Sequence, residues 1–261
     1  MTATFKYGGT SLTSFGVVTL LDDYLDMPQR RGENQTIPYR HGTSFVQKFF
    51  DQRNISIGIT VFAASQTALE AAMDTMRGLF APRTEQTLEL TTTAGAVRNI
   101  SASVDNPIQF ARVSDRIARV VVDFTCCSPF FRLSTVIADN TTTINSNPKA
   151  MVVTNTGTVE ERDPVITLTG PLQNIVITNS TNGAVLTYTG TIASPRVVTI
   201  STSASGEYIA TTDLGVNVIG NITHSGSAAL MTFNVGANTL SIASDIVTTG
   251  TVKCSFYPPF L

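Results

Sequence analysis

The sequence predicts a mainly β protein in two parts: an N-terminal β domain with one helix, and a C-terminal antiparallel β-sandwich. Three observations carry this. Hydrophobic residues make up 42% of the 261 and charged residues only 14%, against a usual charged share of about 25%, so the chain has the apolar content for well-buried cores. In the second half, short runs rich in Val, Ile, Thr and aromatics recur at roughly 8 to 12 residue spacing, each bounded by Gly, Asn, Ser or Pro, which is the punctuation of a sandwich or barrel. A single stretch of the chain has a helical period.

In chain order, "SFGVVTLL", "ISIGITVFA", "TLELTTT", "VRNISASV" and "RIARVVVDFTC" read as the strands of the first part. The segment 22–42, "DDYLDMPQRRGENQTIPYRHG", has two prolines and reads as a long loop or extended arm. In "SQTALEAAMDTMRGLF", Leu69, Met73, Met76 and Phe80 form one apolar stripe, Thr67 and Glu70 stand at capping-box spacing, and Pro82 follows the end. That pattern predicts the helix.

Charge then marks a boundary. From residue 164 to 261 the charged residues are Arg196, Glu207, Asp213, Asp245 and Lys253. Before this charge-poor half lies a stretch dominated by Asn, Thr, Ser and Pro, so the expected division is a domain at 1–135, a linker at 136–159 and a sandwich at 160–261. The sandwich strands are "PVITLTG", "NIVITNS", "AVLTYTG", "RVVTIST", "YIATTDL", "LMTFNVG", "NTLSIAS" and "TVKCSFYP". Gly236, Ala237 and Asn238 separate two alternating runs and predict a hairpin there.

The paired cysteines in "VVVDFTCCSPFF" look chemical and read as structural. Strand alternation puts Val120, Val122, Phe124 and Cys126 on one apolar side and Arg119, Asp123 and Thr125 on the other. Adjacent residues on opposite faces do not form an ordinary disulfide, and no second Cys pair or nearby His completes a zinc set. Cys254 stands in step with Val252 and Phe256, so three free thiols fit a reducing compartment. Asp22, Asp23 and Asp26 lack the calcium-loop spacing, and "GGTSL" lacks the Lys of a phosphate loop. His41 and His224 stand beside no nucleophile motif. The expectation is therefore no metal, no cofactor and no enzyme.

A net charge of −2 and a pI near 5.7 give no footprint for nucleic acid, and no Lys/Arg run addresses a membrane. "MTATFKYGGTSL" has no secretory pattern, which predicts synthesis into the cytosol. Arg30, Arg31 and Arg40 on the arm, with Phe49 and Phe50 just beyond it, offer adaptable contact surface and are the candidate subunit-interface residues.

The order "FKYGGTSLTSFG", "PQRRG", "IPYRHG", "RNISIGITVF", "MRGLFAP" and "VVVDFTCCSPFF" resembles the N-terminal domain of siphophage distal tail proteins. "RDPVITLTGPLQNIVITNSTNGAVLTYTG", "FNVGANTLSI" and "VKCSFYPPFL" are similar to that family's galectin-like C-terminal sandwich. The resemblance implies a structural role at the virion tail tip, after synthesis in the host bacterial cytoplasm. Six copies would form a ring between the tail tube protein and the tail-tip hub or receptor-binding proteins, with DNA passing through unbound. The N-terminal domain would build the ring and the sandwich would point outward. The alternative is a carbohydrate-binding adhesion module, against which stands the absence of Trp, the usual platform of galectin-type sugar sites.

Overall fold

The computed structural model describes residues 4–21, 26–37, 39, 41–46, 48–82, 84–136, 140–203, 206–226, 230–247 and 249–261. The chain divides into two compact units, Met1–Ser134 with Leu261, and Thr135–Phe260. It is mainly β with antiparallel sheets, and its one α-helix among the described residues is Gln66–Phe80 (α1).

The first unit contains strands β1 (Thr4–Tyr7), β2 (Thr10–Ser11), β3 (Gly16–Leu20), β4 (Arg30–Arg31), β5 (Gln35–Thr36), β6 (Thr43–Ser44), β7 (Phe49–Phe50), β8 (Arg53–Phe62), β9 (Gln86–Thr91), β10 (Val97–Ala102), β11 (Gln109–Ser114), β12 (Ile117–Cys126) and β13 (Phe131–Leu133). One sheet runs β2-β1-β9-β10-β13 and a second runs β11-β12-β8-β3. Period-two burial explains both. On β8 Ile55, Ile57, Ile59 and Val61 are buried, and on β12 Ala118, Val120, Val122, Phe124 and Cys126 are, while the residues between face away. Strand β1 was not among the sequence expectations, yet its Phe5 and Tyr7 are buried by the same alternation.

Three aromatic rings join the layers. Tyr7 of β1 lies 5.0 Å from Phe124 of β12 and 5.6 Å from Phe80 of α1, and Phe80 is 6.0 Å from Phe124. Each such ring contributes about 1.5–3 kcal/mol by burial and about 0.5–1.5 more through ring geometry. Helix α1 buries Leu69, Met76 and Phe80, with Met73 half-buried, as the stripe predicts. Its cap differs from expectation. Ser65, not Thr67, is the N-cap, and its Oγ accepts from the Ala68 N–H at 3.2 Å. The helix starts two residues earlier than a Thr67 cap allows, because Ser65 already satisfies an orphan donor of the first turn.

The second unit is a sandwich of two five-stranded sheets. Its strands are β14 (Asn140–Thr143), β15 (Lys149–Asn155), β16 (Val165–Thr169), β17 (Leu172–Asn179), β18 (Val185–Ile192), β19 (Val197–Thr202), β20 (Tyr208–Thr212), β21 (Ile222–Ser225), β22 (Gly236–Ala243) and β23 (Thr251–Ser255). One sheet runs β14-β23-β16-β19-β20 and the other β15-β22-β17-β18-β21. Their inner faces meet in one apolar cluster that includes Ile166, Leu168, Ile177, Leu186, Val198, Leu240, Val252 and Cys254. Phe233 and Phe256 stack within it at 5.4 Å.

The outer faces carry rows of mostly small, largely hydroxyl-bearing side chains. Register carries Thr141, Lys253, Thr167, Thr199 and Thr211 across all five strands of the first sheet. Ala150, Ser241, Thr178, Val185 and Ser225 form a row across the other.

Two expectations are corrected here. The segment 136–159 is not a linker: it supplies β14 and β15, one strand to each sheet. Asn and Thr make it look like a loop, yet Met151, Val153 and Asn155 alternate inward and bury as a strand does. Conversely "LMTFNVG" forms no named strand and no hairpin with β22, which begins at Gly236. Leu230, Met231 and Phe233 are core residues held by side chains instead of a ladder. Asn179 Nδ2 donates to the Thr232 carbonyl at 2.9 Å, Asn155 Nδ2 to the Phe233 carbonyl at 3.2 Å, and Phe233 exchanges two backbone bonds with buried Glu161. Buried amides thus satisfy the main chain that pairing leaves unmet.

Candidate subunit interface

Between β3 and β8 the chain leaves the body as a hairpin. Arg30 pairs with Phe50 and Arg31 with Phe49; further out, Gln35 pairs with Ser44 and Thr36 with Thr43. The root closes where the Asp51 N–H donates to the Gln29 carbonyl at 2.7 Å. Of the segment 22–42, expected as a long loop or extended arm, the described residues 29–37, 39, 41 and 42 belong to this arm, which returns through Phe49 and Phe50.

This arm buries little. Every described residue from 29 to 45 is exposed, and among them Ile37 is 36% exposed, Tyr39 fully so and Phe45 77%. Tyr39 also has φ of +58°, a left-handed conformation uncommon for a non-glycine residue. Apolar side chains gathered on one projecting element make the arm the candidate contact surface.

The two faces of the root ribbon divide the candidate residues. Directly opposed residues share a face, so Arg30 and Phe50 lie together, with the Arg30 guanidinium 5.3 Å from the centre of the Phe50 ring. Phe50 turns to the body and meets Phe130 edge-on at 5.8 Å. Arg31 and Phe49 take the opposite face, where Phe49 is 49% exposed. Arg31, Phe49 and the described aromatics of the tip are thus exposed, and Arg30 and Phe50 are engaged within the chain. Arg40 lies outside the described residues, as do Asp22 and Asp23. The sequence did not single out Ile37, Tyr39 and Phe45; their lack of any partner of alternate burial in 22–50 was the available signal.

A second feature is the four-stranded sheet. Strands β3 and β11 stand at its two ends. Gly16 starts β3 where a Cβ would lie 2.0 Å from the Thr60 carbonyl oxygen, so only glycine permits that close seat on β8. The face turned from the core exposes Val17, Phe62 and Val121 and carries the charges Arg119 and Asp123, the latter accepting from Ser56 Oγ at 2.7 Å.

The thiols are structural where the strand pattern placed them. Cys126 and Cys254 are buried, and burial pushes both up to about 12. Cys127 is exposed and raised through a hydrogen bond with Glu85. His224 packs edge-on against Tyr208. Among the described residues no group of three His, Cys, Asp or Glu is placed to hold a metal, and no helix is long and apolar enough to cross a membrane.

No protein-family profile matches the chain, and no curated protein does. Solved structures do. The crystal structure of the SPP1 Dit protein, described as a paradigm of the hub adsorption apparatus in phages infecting Gram-positive bacteria, superposes with a TM-score of 0.70 over 100% of both chains at 14% identity. This chain has the Dit fold. A chain of the phage p2 baseplate in its activated conformation matches at a TM-score of 0.50 and 9% identity, covering 98% of each chain. The Dit fold accounts for both units in one chain, in the observed order, and at these identities only the architecture is held in common.

Proposed function

We propose that this chain is a structural component of a phage tail tip, forming a ring that joins the tail tube protein to the tail-tip hub or receptor-binding proteins. The observation that carries the reading is the full-length likeness to SPP1 Dit. The chain's own geometry supplies the means of closing a ring. A ring needs a heterologous junction, in which one patch meets a different patch on the next copy. In β11-β12-β8-β3 every neighbouring pair is antiparallel, so β3 and β11 run in opposite directions. Joining β3 of one copy to β11 of the next therefore continues the antiparallel sheet without interruption, and covers two open edges at once.

Such closure puts the core and α1 on the outside of the junction and turns the free face of the sheet toward the bore. The charges of that face, Arg119 and Asp123, cancel, so the wall has no cationic field to retain phosphates as DNA passes. The arm reaches across the junction with Phe45, Tyr39 and Phe49. On this reading the domain of residues 1–134 builds the ring, six copies complete it, and the galectin-like sandwich faces outward. The protein then acts in the virion as scaffold, not as an enzyme.

Among the described residues of the sandwich, Tyr188, Phe233 and Phe256 are buried and Tyr208 packs edge-on against His224, while Tyr257 is exposed; with no Trp in the chain, this disfavours the carbohydrate-binding alternative. Negative-stain imaging and mass photometry of the purified full chain test the proposal. Six-fold rings with a central hole are expected; a monomer at every concentration up to the tens of micromolar range would overturn it.

A further inference from the structure

We infer that the turn 127–131 and Arg53 form a clamp that sets the direction in which the arm leaves the body, and so presets the contact with the next copy; this rests on the ring reading above. Three contacts converge on the arm root from that one turn. The Phe130 ring meets Phe50 edge-on at 5.8 Å and an interplanar angle of 83°. The Pro129 carbonyl accepts from Arg53 Nε at 3.0 Å. The Phe131 ring lies 5.0 Å beneath the Arg53 guanidinium. Phe50 in turn carries Arg30, whose guanidinium lies 5.3 Å from its ring centre, so both strands of the root are tied.

Arg53 is the residue that core packing alone does not explain. It is 4% exposed and occupies the end of a strand face that otherwise reads Ile55, Ile57, Ile59, Val61. A buried cation is costly unless its donors are met, and a methionine of similar length would fill the space more cheaply. Its partners explain its retention: a carbonyl and a ring of the turn, while burial, which lowers its basicity, is opposed by its interaction with Cys126 and then with Asp26, ahead of β4. A planar guanidinium gripping a carbonyl while stacked on a ring fixes orientation in a way an apolar side chain does not. The cost of ordering an arm at the moment of assembly is thereby met within the folded subunit, which is what preorganisation contributes to binding. The neighbouring Cys126 and Cys127 mark where β12 ends and the clamp begins.

The test uses the full-length chain and three variants: Phe130→Ala, Arg53→Met and the conservative Phe130→Tyr. Two readouts are taken, the rate of tryptic cleavage at Arg30, Arg31 and Lys48 in dilute, unassembled protein, and the protein concentration at half-assembly by mass photometry. Phe130→Ala and Arg53→Met are expected to speed arm cleavage and raise the half-assembly concentration about tenfold, while their melting temperatures stay close to wild type and Phe130→Tyr restores both readouts. Unchanged cleavage and assembly in both variants would overturn the clamp, as would changes that track melting temperature alone. If the wild type never assembles, the ring reading fails, and the cleavage rates still decide whether the clamp holds the arm.

Discussion

The first unit sets four exposed apolar residues, Ile37, Tyr39, Phe45 and Phe49, along one projecting arm, besides others such as Val17, Phe62 and Val121 on the free face of its four-stranded sheet. The second unit instead turns rows of small, largely hydroxyl-bearing side chains outward, with exposed apolar residues such as Val152, Leu214, Val235 and Val247 on different segments of the chain. Both bury comparable cores by the same strand alternation, so the contrast lies at the surface and not in the fold. On the proposed ring reading, the residues concentrated on the arm are those that meet the next copy. Isolated ones are the ordinary remainder of a surface that cannot be wholly polar.

The largest effect should come from removing the arm. Gln29 and Asp51 are hydrogen-bonded across its root, so residues 30–50 can be replaced by a two-residue Gly-Ser turn without disturbing β3 or β8. Assembly should be lost entirely while chemical denaturation of the monomer changes by no more than about 1.5 kcal/mol, the Phe50–Phe130 contact going with the arm; rings of normal size from this variant would show that the arm is not the contact. Next come the ring clusters of each core. Phe124→Ala and Phe233→Ala should each remove about 3–5 kcal/mol, the first from the unit of Tyr7 and Phe80, the second from the sandwich, seen as separate shifts in calorimetry. A shift of the same transition by both would mean that the units unfold together.

Asn179→Ala tests whether side chains replace a ladder at residues 230–235. Losing its donor to the Thr232 carbonyl and to Asn238 should cost about 1–3 kcal/mol, with hydrogen exchange rising first around Phe233. The thiols make a smaller, pH-dependent contribution. Burial raises Cys126 and Cys254 from 9.0 to about 12, so the stability gained by keeping them protonated is complete below pH 9 and is lost as pH climbs toward 12. Each thiol should weaken its unit by about 1.4 kcal/mol per pH unit over that window, a slope that Cys→Ala variants should lack. At neutral pH, iodoacetamide should label Cys127 and spare the other two. Smallest of all, Thr199→Ala in a surface row should change stability by no more than about 0.5 kcal/mol.

Much of this was legible in the residues. The period of Leu69, Met76 and Phe80 located the helix, and the alternation of Val120, Val122 and Phe124 located the strand that ends the apolar run. What escaped had its signal in side chains acting away from their neighbours in sequence. Strand β14 is almost all threonine and asparagine, and its pairing with Cys254 and Val252 is invisible to a local window. "LMTFNVG" has strand composition, yet distant amides at Asn155 and Asn179 hold its backbone. Of the interface candidates, Arg31 and Phe49 could be told from Arg30 and Phe50 only once the register of the ribbon was known, because a one-residue difference along a strand reverses the face.

The threonine rows carry a consequence for the surroundings in which the sandwich can operate. Attraction and repulsion between charged surfaces are set by the ion atmosphere, and shift as the Debye length moves from about 30 Å in dilute medium to about 8 Å in saline. Rows of hydroxyl and methyl groups hold their water by hydrogen bonds and have almost no ion atmosphere to compress. With Lys253 as the one charge in the row from Thr141 to Thr211, that face should present the same hydration to fresh water and to brine.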